Sequence, residues 1–283
     1  MQLLKSNLDA SVNFVEQQLT GFVEARYVRR KPNYFIAYLS SQTGCNRGCQ
    51  MCHLTATRQT QFTNLDQQEF VTQLETVLGH YERDTPAKLM HVNFMARGEP
   101  LANPTITETG TELLWRLGGM ARERLLQVKF NISTIMPKTL RKPLSEVFPI
   151  ITPTIYYSIY SVDEAFRAQW LPAAMPVDMA LKSLKEYQQI SKKLVKFHCA
   201  FIKDANDTER QVEAMMERIA SYKIQGEFNI VRYNPYSSEQ GVESNRLALI
   251  EKQIANYMPV KTVPRVGFDA KASCGMFVQN SRA

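Results

Sequence analysis

The 283 residues are 44% hydrophobic and 22% charged, an ordinary balance for a soluble globular protein and enough chain for one α/β barrel or one large domain with a small extension. No apolar run approaches the length that spans a bilayer, and the opening MQLLKSNLDASVNF lacks the basic, apolar and small-residue succession of a signal peptide, so a cytoplasmic protein without a membrane partner is expected. Lys and Arg total 34 against 27 Asp and Glu; the resulting +7 is modest for this length and argues only weakly for a polyanionic partner.

Residues 1–20 carry an amphipathic helical pattern through Leu8, Val12, Phe14, Val15 and Leu19, and two β-like runs at 22–28 and 34–40 flank Arg29-Arg30-Lys31-Pro32-Asn33. A helix and a hairpin are expected there. Strands near 89–95, 126–132, 152–160, 195–202, 227–233 and 260–264 then alternate with helices near 65–80, 106–118, 163–170, 177–190, 208–221 and 245–257. Asn64 or Thr63 is the expected cap of the first of these helices, whose Phe70, Val71, Leu74, Val77 and Leu78 share a face. Such alternation implies a parallel sheet, and a closed or partly open barrel places function on the loops after the C-terminal strand ends. No internal repeat marks a second domain.

The first such loop holds the main chemical signal. Five cysteines is an odd number, and three lie within eight residues, Cys45-Asn-Arg-Gly-Cys49-Gln-Met-Cys52, which argues for reduced thiols acting as ligands. Three thiolates suffice for three irons of a cubane and leave the fourth open to a small molecule. The same residues allow a zinc site, with His53 as fourth ligand, and Cys49-Gln50-Met51-Cys52-His53 matches a haem-attachment pattern that leaves Cys45 unused.

The C-x3-C-x2-C spacing after the first barrel strand resembles the radical S-adenosyl-L-methionine (radical SAM) signature, with Met51 where that superfamily usually has an aromatic residue. Four motifs in order resemble the RlmN/Cfr group of RNA adenosine methyltransferases over roughly residues 22–280: Ser40-Ser41-Gln42-Thr43-Gly44-Cys45, Phe94 to Asn103, Asn234-Pro235, and Asp269 followed by Cys274-Gly275. The resemblance implies an α/β fold, a partial (β/α)6 radical SAM barrel over 34–283 behind a helix and hairpin extension over 1–33. It implies a 4Fe-4S cluster on Cys45, Cys49 and Cys52, with S-adenosyl-L-methionine held by Gly98, Glu99, Pro100, Ser133, Ser158 and Asn234. Tyr160 stands where the family usually has histidine, and Glu24 resembles a glutamate near the reacting centre. Read without the resemblance, Ser133 and Asn234 are helix caps and Glu24 a solvated hairpin charge.

In the family the cysteine matching Cys274 takes a methyl group from one S-adenosyl-L-methionine by nucleophilic displacement. Reductive cleavage of a second then generates a radical on that S-methyl, which adds to an electron-poor adenine carbon. A further cysteine, seven residues before the first cluster ligand, breaks the resulting crosslink; here Tyr38 stands in its place. Cys199 is the candidate for that resolving role, set against the reading of a small core residue. The implied partners are ribosomal or transfer RNA and a flavodoxin- or ferredoxin-type electron donor, and the chain is expected to be a monomer. Arg26, Arg29, Arg30, Lys31 and Tyr34 are candidate RNA contacts. Family members also carry an N-terminal helical domain and a longer tail, for which this chain has no room. Two other functions stay open: radical chemistry on a smaller or non-RNA substrate, and RNA binding without catalysis.

Overall fold

The computed structural model describes residues 1–82 and 84–279. Ten strands form one sheet among these residues, in chain order: β1 (Gln2–Lys5), β2 (Val12–Gln18), β3 (Gly21–Lys31), β4 (Tyr34–Leu39), β5 (Leu89–Phe94), β6 (Gln127–Thr134), β7 (Thr154–Ser158), β8 (Val195–Cys199), β9 (Gly226–Ile230) and β10 (Val260–Thr262). Pairing is antiparallel from β1 to β4 and parallel from β4 to β10. The expected strands and helices from residue 22 onward are found within a few residues of their expected bounds. Residues that follow β4, β5, β6, β7, β8 and β9 all line one cavity, so the parallel strands curl into a partial barrel with its mouth at their C-terminal ends.

The short α1 (His53–Ala56) sits at the mouth, where Leu54 and Thr55 line the cavity, and the other helices cover the outer face: α2 (Gln67–Tyr81), α3 (Pro104–Thr107), α4 (Gly110–Arg122), α5 (Leu144–Val147), α6 (Glu164–Trp170), α7 (Val177–Ser191), α8 (Glu209–Ser221) and α9 (Leu247–Ala255). The strand parity explains the layering. Phe35, Ala37 and Leu39, Met90, Val92 and Phe94, and Val195, Phe197 and Cys199 belong to the core under the helices. The alternate residues are mostly polar and face the barrel interior, where Asn131 Nδ2 donates to Asn93 Oδ1 at 2.7 Å.

Two local expectations are corrected. Residues 1–20 are not helical: β2 pairs with β3 through seven residues, and both faces of Val12–Val15 are buried. Apolar residues at 8, 12, 15 and 19 satisfy a helical period, yet Leu8 is 75% and Leu19 102% exposed, so the supposed stripe buries nothing at its ends. The cap of α2 is Asp66, whose side chain accepts from Glu69 N at 2.8 Å while Glu69 returns a bond to Asp66 N. No helix among the described residues is long and apolar enough to cross a membrane.

Candidate active site

The segment from Ser40 to Cys52 is held on both sides before its cysteines begin. Ser41 N donates to Arg97 O at 2.7 Å, Gln42 Oε1 accepts from Glu99 N at 3.0 Å, and Cys45 N donates to Gln59 O at 3.0 Å. Two glycines make this closeness possible. A Cβ on Gly44 would lie 2.3 Å from Gln61 O, and one on Gly98, whose φ is +93°, would lie 2.6 Å from Ser41 Oγ.

Cys45, Cys49 and Cys52 line the mouth cavity together with Gly98, Glu99, Ser133, Ser158, Asn234 and Cys274. Burial raises all three thiols, Cys45 to about 12, and each of Cys45 and Cys49 is raised further by Cys52 and by Glu99. Backbone bonds from Leu54 and Thr55, then Arg97 and Arg26, pull Cys52 partly back. Such thiols keep their protons until a metal centre displaces them. Among the described residues no three His, Cys, Asp or Glu side chains converge as they would around a single ion. His53 is also committed elsewhere, its Nε2 lying 2.9 Å from Asn234 O.

Glu99 is the buried carboxylate of the cavity. Its Oε2 accepts from Ile135 N and its Oε1 from Leu101 N, both at 3.1 Å; burial raises its pKa, with bonds from Thr134, Ile135 and Leu101 opposing. Pro100 is buried behind it and opens a short 3-10 turn that Glu99 caps. Asn234 Nδ2 donates to Cys274 O at 2.9 Å, but its Oδ1 is buried with no partner, leaving an acceptor for a ligand's donor. Met51, Met95, Thr134, Tyr160, Tyr233 and Phe277 complete much of the wall. Of these, Thr134, Tyr233 and Phe277 were not singled out from sequence, where nothing distinguishes them from ordinary strand-end residues.

Cys274 lies on an exposed turn of the C-terminal tail at the same mouth. The surrounding protein nevertheless limits its hydration, raising the thiol to about 11, against which Arg26 and Arg30 pull downward. The tail is fixed by a buried ionic cluster. Glu24 Oε1 accepts from Arg97 Nε at 2.7 Å and from Val278 N at 2.9 Å; its Oε2 accepts from Arg26 Nη2 at 2.8 Å and Asn13 Nδ2 at 2.9 Å. Arg26 in turn donates to Met276 O at 2.7 Å. Burial alone would raise the Glu24 carboxyl, but Arg26, Arg97 and these bonds hold it below its ordinary value. Glu24 does not line the cavity: it is a fully committed ion that positions the tail.

Cys199 is not brought to the site. It is fully buried under the helices, and burial drives its thiol far up, with Asn206 Nδ2 3.5 Å from its sulfur. Of the basic hairpin, Arg26 is tied to Glu24, and Arg29 to Asp84 and Thr85 O, while Tyr34 stacks on His91 at 5.0 Å; Arg30 and Lys31 remain exposed.

No family model matches the chain. It is 28% identical over 246 residues to a probable dual-specificity RNA methyltransferase RlmN of Synechococcus sp. (strain RCC307), covering 84% of this chain and 67% of the relative. Identity to the RlmN of Aliarcobacter butzleri (strain RM4018) is 29% over 247 residues, 84% of this chain and 64% of that one. The chain thus spans about two thirds of the length of these curated relatives. In structure it resembles a radical SAM methyltransferase from Sphaerobacter thermophilus, with TM-score 0.81 at 17% identity over 98% of this chain and 80% of that one. Streptococcus suis SuiB bound to S-adenosylmethionine shares the fold at TM-score 0.58 and 14% identity, over 83% and 51%.

Proposed function

We propose that the chain is a divergent RlmN-like member of the radical SAM superfamily, as its similarity to RlmN relatives supports, and that it methylates an adenine carbon in RNA through Cys274, with a 4Fe-4S cluster on Cys45, Cys49 and Cys52. One observation carries the reading: Cys274 shares a single cavity with the three clustered thiols and with Gly98 and Glu99. The residues fit the implied groups, since three thiols meet a buried carboxylate suited to an ammonium and an unpartnered Asn234 Oδ1 suited to a donor. When bound, the cluster with S-adenosyl-L-methionine would supply one-electron cleavage of a sulfonium, using an electron from a flavodoxin- or ferredoxin-type donor.

Glu99 would orient the cofactor's amine and Ser133 and Ser158 would be available to its remaining polar groups, while Asn234 holds the Cys274 carbonyl and leaves Oδ1 free for a donor. Cys274, its proton lost to solvent, would attack the sulfonium methyl; the S–C bond to the cofactor breaks, S-adenosylhomocysteine leaves as a neutral thioether, and the methyl stays on the protein. Arg26 and Arg30 favour the thiolate needed for that step. A second reading, radical chemistry on a smaller or non-RNA substrate, draws on the barrel interior: Tyr38 occupies the position of the resolving cysteine, and no thiol beyond the cluster set and Cys274 lines the cavity.

Mass spectrometry of the Cys274 peptide from anaerobically expressed protein tests the carrier. A peptide heavier by one methyl group is expected; a free thiol in protein that turns over would overturn it.

A further inference from the structure

Behind Cys274 lies a second chamber inside the barrel, sharing Met95, Ser133, Val231, Arg232 and Cys274 with the mouth cavity. Arg26, Arg30, Arg232 and Arg265 line it, with Tyr38 and His198, and among the described residues no carboxylate does. The carboxylates that pair with these arginines are each shared by two guanidiniums. Glu24 serves Arg26 and Arg97, at 2.8 and 2.7 Å. Glu243 serves Arg232 at 2.8 Å and Arg265 at 3.4 Å. Arg30 has no ion-pair partner among the described residues, its Nη2 reaching only the Tyr38 hydroxyl at 3.4 Å. The chamber's four guanidiniums thus face two carboxylates, Glu24 and Glu243, and two positive charges are left over. His198 adds none: burial, then Lys261, Arg30 and Lys196, hold its pKa down to about 3, so its imidazole is neutral and serves as a hydrogen-bonding group.

A surplus of guanidinium in a partly enclosed space with walls of Val28, Val263 and Val266 suits a compact dianion. We propose that this chamber is a phosphate subsite, in which Arg30 and Arg265 grip the terminal phosphate of a nucleotide whose ring meets Cys274. The inference rests on Cys274 as the methyl carrier. It narrows the substrate to one with a terminal phosphate monoester, since the diester within a chain carries a single charge.

Calorimetric binding of adenosine, adenosine 5′-monophosphate and inorganic phosphate to the full chain, iron-loaded anaerobically, tests it. The monophosphate is expected to bind about tenfold or more tightly than adenosine, the scale of one charge-assisted hydrogen bond. Inorganic phosphate should compete with it. Arg30→Gln should remove most of the preference, and Arg30→Lys should restore part. Equal affinities, or a preference untouched by Arg30→Gln, would refute the subsite. Tighter binding of a 5′-phosphorylated trinucleotide than of the mononucleotide supports a chain end, and the reverse a free nucleotide. The Cys274 mass separates the two readings: a methyl without phosphate preference sinks the subsite alone, and a preference with an unmodified thiol sinks the carrier alone.

Discussion

Replacing Glu24 by Gln keeps the shape of the side chain and removes the charge on which the tail is anchored. Two buried guanidiniums, Arg26 and Arg97, then lose their counter-charge, and the new amide nitrogen faces donors that had found an acceptor. Breaking a buried pair on one side costs about 3–5 kcal/mol, against a total stability of about 5–15 kcal/mol. With an m-value of about 3 kcal/mol/M, the urea midpoint should fall by roughly 1–2 M. Because Val278 N and Met276 O are held through this cluster, the Cys274 turn should loosen as well, so its alkylation by iodoacetamide should quicken in native conditions. The pH dependence follows from the depressed carboxyl. Its folded pKa lies below the unfolded value of 4.5, so its contribution is complete above that pH and is lost as pH falls through the folded value. The wild type should weaken below pH 4.5 more steeply than the Gln variant. A variant with an unchanged midpoint and unchanged Cys274 reactivity would show that the cluster positions nothing.

Gly98→Ala should lower stability by about 1–3 kcal/mol in thermal melts, because a Cβ meets Ser41 Oγ and Gln42 at a φ of +93°. A melt within error of wild type would mean that the loop yields freely. Cys199→Ala should cost about 1 kcal/mol and leave single-turnover modification intact, as expected of a small core residue; loss of turnover in a stable variant would restore the thiol to the mechanism. Alkylation of Cys274 in the native protein should keep accelerating above pH 9 toward about 11, and Arg30→Gln should shift the profile higher, read by quenched mass spectrometry. A plateau near pH 9 would place the thiol in open water.

The parallel strands and the cysteine loop were legible because both signals are local: an apolar period with turn residues between runs, and ligand spacing inside eight residues. The N-terminus was not, since the apolar residues at 8, 12, 15 and 19 follow a helical period and it is the pairing with β3 that overrides it. Of the two readings of Cys199, its strand already favours the core residue. Val195, Phe197 and Cys199 share the apolar parity, Lys196 and His198 the polar one, so the barrel interior belongs to His198. Glu24, Arg97 and Val278 could not be joined in advance, because their meeting depends on the registers of β3, β4 and β5 and on the path of the tail.

That path gives the N-terminal strands a purpose. Asp269 accepts from Ser6 Oγ and Asn7 N at 2.6 and 2.7 Å, Gly267 N donates to Asp9 at 2.8 Å, and Asn13 Nδ2 reaches Ala270 O at 3.3 Å. The hairpins at the sheet edge therefore seat the tail up to its cysteine, and the Glu24 cluster seats it just beyond. Between the two anchors, Gly275 turns at φ +76° with open space where a Cβ would stand. A thiol that must meet one partner in the mouth cavity and another in the chamber behind it needs fixed ends, and its own turn is held through its backbone, by Asn234 Nδ2 on Cys274 O at 2.9 Å and His53 N on Gly275 O at 3.3 Å. Hydrogen bonds and ions fix those ends without packing the turn itself into the core.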